Sequence, residues 1–141
     1  MTARTPIVRH DNWPRHFYDF LAERNAMPFA WGSNDCALFA AACVQAISGH
    51  DIASAYVGLY DNAAGTLSVI SQAGGLQAIC QQHLGDPIPV AMAQRGDVVY
   101  IQHPQTGRDC LAICCGNELA SPGPDGLLYV PVSNGIMAWR V

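Results

Sequence analysis

The chain has 141 residues, half of them apolar and 13% charged, with a net charge of −4. A single domain burying roughly two-thirds of its unfolded surface suits that length, and the apolar content excludes global disorder. The acidic balance leaves no basic footprint for nucleic acid and no basic amphipathic face for a lipid surface.

Residues 1–11 are expected as an extended N-terminal arm without the apolar stretch of a secretory signal. The longest apolar run, residues 37–44, is of helix-core length and too short to span a membrane. The six cysteines then read as reduced thiols rather than a disulfide framework. Asn12 and Pro14 open a first helix, with Trp13, Phe17, Phe20 and Leu21 on its apolar face. Met27-Pro28 breaks it. A second helix starts at Cys36, because Cys36, Phe39, Ala40, Cys43, Val44 and Ile47 recur at three- and four-residue spacing. Gly49 supplies its C′ position.

Residues 53–60, 62–72 and 76–84 read as short helices, punctuated by Gly74-Gly75 and Gly85. The period then changes. Residues 98–101, 111–114 and 127–130 are short β-rich runs, with turns at Gly107, Gly116-Asn117 and residues 122–126, and residues 135–141 suggest one more strand. Helices first and an antiparallel sheet second predict an α+β fold.

Cys36 is the candidate nucleophile. A thiol in the first turn of a helix faces unpaired N–H groups and the positive end of the macrodipole, both of which favour thiolate. The competing reading is packing, since Cys36 shares a stripe with Phe39, Cys43 and Ile47. Asp35 is placed to cap the helix and Asp97 to close the turn before its strand. Trp31 and Trp139 either line a groove or pack. Cys110, Cys114 and Cys115, near His103 and Asp109, raise the question of a metal. Strand alternation puts Cys110 and Cys114 on one face and Cys115 on the other, and there is no C-x-x-C pair, so neither metal nor cofactor is expected. His10, His16, His50 and His83 carry no assigned role.

Three motifs point further: Trp31-Gly32 leading to Asp35-Cys36, then Arg95-Gly96-Asp97-Val98-Val99-Tyr100, then the strand from Cys110 to Gly116-Asn117. Together they resemble the NlpC-type cysteine peptidases, papain-like enzymes that cut cell-wall peptides. The resemblance covers residues 29–129 and implies a papain-like fold with helices packed on a small antiparallel sheet. Gly74-Gly75-Leu76, Pro124-Asp125-Gly126-Leu127 and the terminal Ala138-Trp139-Arg140-Val141 are similar to a branch of that fold in tailed phages and prophages. That similarity implies a tail-tip or tail-assembly protein of the virion, made in the bacterial host cytoplasm. Its partners would be other tail proteins and, at most, peptidoglycan, without nucleic acid or membrane insertion.

The departures are at the chemistry. Where the family carries its catalytic His this chain has Cys110, and where the group orienting that His belongs, Leu119 or Ala120 stands. A thiol, with a pKa of about 8.5 against about 6.5 and one proton site against two, cannot replace imidazole. The expectation is a degenerate peptidase site, with Cys36 the ancestral nucleophile and Trp31 and Asp35 beside it. The alternative is an active cysteine hydrolase of peptidoglycan stem peptides. It would use His103 as substitute base, brought across a hairpin of residues 98–101 and 111–114.

Overall fold

The computed structural model describes residues 6–141, so residues 1–5 of the expected arm lie outside the described residues. Four α-helices precede a five-stranded sheet. The helices are α1 (Trp13–Arg24), α2 (Cys36–Ser48), α3 (Ala63–Gln72) and α4 (Leu76–Leu84). The strands are β1 (Val98–Gln102), β2 (Asp109–Cys114), β3 (Glu118–Gly123), β4 (Gly126–Pro131) and β5 (Met137–Trp139). All neighbours are antiparallel, in the order β4-β3-β2-β1-β5. The predicted α+β class is the observed one.

α2 is the central helix, apolar around most of its circumference and therefore buried. The Asp35 carboxylate accepts the Leu38 N–H at 2.9 Å to start it, and Gly49, at φ 74°, ends it with its N–H on the Gln45 carbonyl. Phe39, Cys43, Val44 and Ile47 meet Phe17 and Phe20 of α1 on one side and Val98, Leu111, Ile113 and Trp139 of the sheet on the other. The Phe20 and Phe39 rings lie 5.3 Å apart. Each such side chain, fully buried, contributes about 1.5–3 kcal/mol. The opposite sheet face, from Val99, Ile101, Cys110, Ala112, Cys114, Leu119 and Val130, is packed by Ile88, Val90 and Val132. The sheet is thus buried on both faces, which explains strands richer in apolar residues than simple alternation gives.

Two expectations change. Residues 53–60 do not form a helix; only a 3-10 turn at Ala53–Ala55 is present. The aromatic Tyr56 and β-branched Val57 favour helix weakly, and Gly58 at φ 87° leaves the helical region. Pro122 and Gly123, read as turn residues, instead end β3, and the reversal is confined to Pro124 and Asp125. β3 pairs with β2 only at Leu119 and Ala120, so no β2 acceptor faces Pro122 for want of an N–H.

The ends of the described chain are tied together at the turn that leads into β1. Arg9 donates to the Val141 and Arg95 carbonyls and to the Asp97 carboxylate, while the Val141 N–H also reaches Asp97. Residues 6–10 carry no helix or strand, yet this cluster and the His10 N–H on the Ile47 carbonyl pin them.

Candidate active site

The Trp31-Gly32 turn brings the chain to α2 in a defined way. Gly32 sits at φ 81°, and its N–H donates to the second Asp35 carboxylate oxygen at 3.0 Å. One carboxylate therefore spans the turn and the first helical residues. A Cβ on Gly32 would lie 2.4 Å from the Tyr60 carbonyl oxygen. Gly32→Ala combines that collision with a left-handed backbone, and is expected to destabilise the fold by at least about 1–3 kcal/mol. Urea unfolding measures it; a shift under about 0.5 kcal/mol would mean that the turn adapts freely.

Cys36, the first residue of α2, is half-buried at the edge of a cavity of about 690 Å³. Cys110, His103, Asp35 and Trp31 line the same cavity, so every residue singled out from the sequence as catalytic or binding converges here. Trp31 stands edge-on to Phe29, ring centroids 4.6 Å apart, as part of the wall. Trp139, the other groove candidate, is instead 1% exposed and belongs to the core.

The thiol beside Cys36 in this cavity is Cys110, whose cluster Cys36 packs against and whose influence dominates the electrostatics of its sulfur. Cys110 lies opposite Ile101 in the β1–β2 hairpin and is buried; its sulfur also contacts the Ser121 hydroxyl at 3.3 Å. His103 follows β1 as foreseen, one step past the Gln102–Asp109 pair. Its Nδ1 accepts the Gln105 N–H at 3.2 Å, within its own turn. His103 shares the cavity, and the hydrogen bond its ring makes among the described residues is to its own loop and not to the sulfur.

The electrostatics reverse the expectation for Cys36. Its thiol is pushed well above the ordinary range, first by the hydrogen bond with Cys110, then by burial and by the charge Cys110 carries when ionised. The Asp35 charge adds to this, and the Leu111 backbone hydrogen bond opposes it. The helix end does not rescue the thiolate because Asp35 already occupies the Leu38 N–H and places a negative charge beside the sulfur. Cys110 moves down, helped most by the hydrogen bond from Cys36 and further by Ser121, against burial. Removing one proton from the pair is eased, and removing the second is opposed.

Two contributors were not singled out beforehand. Ser121, on β3, joins Cys110 to the Leu111 carbonyl. Tyr60 packs at Asp35, its phenol pushed up by burial, by the Asp35 charge and by their hydrogen bond. Ser121 had a signal in its spacing from Leu119 on a strand; Tyr60 had none, since its approach depends on how an irregular loop returns. Cys114 shares the covered face with Cys110, and Cys115 lies against the other cluster, as strand alternation requires.

A family model described as a domain of unknown function (DUF6950) matches residues 8–141. Among solved structures, the crystal structure of the NlpC/p60 domain of the peptidoglycan hydrolase SagA is similar at a TM-score of 0.55 and 17% identity. The alignment covers 90% of this chain and 97% of that one. No curated protein matches.

Proposed function

The chain belongs to the DUF6950 family and has an NlpC/p60-like fold, and from that premise we propose that it is a structural component of a phage or prophage tail, built on a peptidase scaffold that no longer hydrolyses. The observation that carries the loss of hydrolysis is that the cavity places the Cys110 thiol, and no imidazole, beside Cys36 from the start of β2. Peptide cleavage by a thiol needs a thiolate to attack the carbonyl and a protonated base to hand a proton to the leaving amine. Cys110 serves neither step well: it holds back ionisation of Cys36, and a thiol offers no second site through which to relay a proton. Leu119 and Ala120, expected where NlpC-type enzymes orient their base, pair with Cys114 and Ile113 instead; the β3 group on Cys110 is the Ser121 hydroxyl, which donates to the Leu111 carbonyl.

The tail assignment rests on the motifs that resemble a phage branch of the fold, which fall at element boundaries and in the sheet. Gly75-Leu76 opens α4, Arg95 to Val99 leads into β1, Pro124-Asp125 turns β3 into β4, and Ala138-Trp139 lies in β5. Large apolar side chains at Tyr18, Val57, Leu59, Tyr129 and Ile136 are exposed, as suits a protein that packs against others.

Two measurements test this reading. Purified particles should contain the chain in a fixed ratio to other tail proteins by quantitative mass spectrometry. Incubation with peptidoglycan should release no more stem-peptide fragments than the Cys36→Ala variant releases. Absence from the particles overturns the tail role; release that depends on Cys36 overturns the loss of catalysis in favour of a hydrolase.

A further inference from the structure

The two cavity-lining thiols have chemistry open to them that does not depend on a histidine. We propose that Cys36 and Cys110 form a reversible dithiol–disulfide site that exchanges with low-molecular-weight disulfides of the glutathione class. Of the six cysteines, these two line the large cavity. Cys36, at the start of α2, packs against the apolar cluster that holds Cys110, the second residue of β2. Cys43, Cys80 and Cys114 are buried, and Cys115 faces the other side of the sheet. Access and proximity therefore coincide at one pair.

The order of events follows from exposure. Cys36, the half-buried partner and so the sulfur a small disulfide can reach, attacks one sulfur of that disulfide through its minor thiolate fraction, slowly at neutral pH and faster in alkali; its S–H bond and the small S–S bond break. A mixed disulfide forms on Cys36, and the first thiolate departs with the proton. Cys110 then attacks the Cys36 sulfur, loses its own proton to the second departing thiolate and closes the intramolecular bond. The Ser121 hydroxyl, 3.3 Å from Cys110, can turn its hydrogen toward the sulfur as charge develops there. The balance is two protein thiols oxidised to one disulfide and one small disulfide reduced to two thiols. The product staples α2 to β2 at the base of the cavity, and excess small thiol reverses it.

This site is independent of the tail assignment, and its test shares no readout with that one. Native wild-type protein is equilibrated with oxidised glutathione, quenched with acid, unfolded and titrated for thiols, then mapped by peptide fragmentation. The expected result is a fall from the six thiols of the reduced chain by two, without retained glutathione, and a Cys36–Cys110 linkage. Addition of reduced glutathione should restore all six. The Cys36→Ser chain should lose no pair of thiols under the same conditions. Full retention of thiols, glutathione held on Cys36 with Cys110 free, a linkage between other cysteines, or a paired loss in Cys36→Ser would each overturn the proposal.

Discussion

Asp97→Ala is expected to destabilise the protein by about 3–5 kcal/mol, the usual result of removing one partner from a buried ion pair. Asp97 is 1% exposed and its carboxylate is fully engaged. One oxygen takes the Arg9 guanidinium and the Val141 N–H, each at 3.0 Å, and the other takes the Gln94 N–H at 2.8 Å. Truncation would leave two backbone donors and a largely covered cation without their acceptor. It would also release three segments at once: the N-terminal stretch around Arg9, the turn into β1 and the C-terminal residue. Urea denaturation should show the loss as a lower midpoint at similar slope. A change below about 1 kcal/mol would mean that water replaces the carboxylate at little cost.

Cys110→His is expected to change reactivity most. An imidazole at that position faces the Cys36 sulfur from the strand where the resemblance to NlpC-type peptidases expects a base. The cavity of about 690 Å³ alongside leaves room for the larger ring. The substitution removes the largest contribution raising the Cys36 thiol and offers a positive partner to its thiolate. Alkylation of Cys36 by iodoacetamide at neutral pH should rise roughly ten- to a hundredfold; the gain in thiolate exceeds the lower intrinsic reactivity of a more acidic thiol. Peptide hydrolysis should not return with it, because the β3 group at that position is the Ser121 hydroxyl, donated to the Leu111 carbonyl, and not a carboxylate or amide that would orient the new imidazole. An unchanged alkylation rate in a variant with native near-ultraviolet circular dichroism would show that Cys110 does not govern Cys36.

What the sequence disclosed follows a physical division. Helices with strong three- and four-residue periodicity and recognisable ends, such as α2 between Asp35 and Gly49, were legible because their stability is largely local. The strands at Val98 and Leu111 were legible as short apolar runs between turn residues. β3 was harder. Leu119 and Ala120 were placed on a strand, but Pro122 and Gly123 carry turn chemistry, and only the early departure of β3 from β2 makes them tolerable. Residues 53–60 had enough apolar content to suggest a helix, but Val57 and Leu59 face solvent and Gly58, at φ 87°, breaks the helical backbone.

At the site, the identity of the residues was legible and the sign of their interaction was not. Local reasoning placed Cys36 at a helix N-terminus and Asp35 as its cap, and both stand there. It then credited the helix dipole to the sulfur. The Asp35 carboxylate already occupies the Leu38 N–H, and the dominant neighbour is a thiol supplied by a strand far along the chain. Long-range partners of this kind leave no periodicity behind them. The resemblance to NlpC-type peptidases located Cys110, and the geometry determined its effect on Cys36.

The most direct test is the pH profile of Cys36 alkylation in the native wild-type protein, followed by peptide mass spectrometry. The thiolate reacts and the thiol does not, so a raised thiol should give a rate still climbing past about pH 9. His103→Ala should follow the same curve. A plateau reached below neutral pH in the wild type, lost in His103→Ala, would contradict the absence of a working proton acceptor and restore the cysteine–histidine pair.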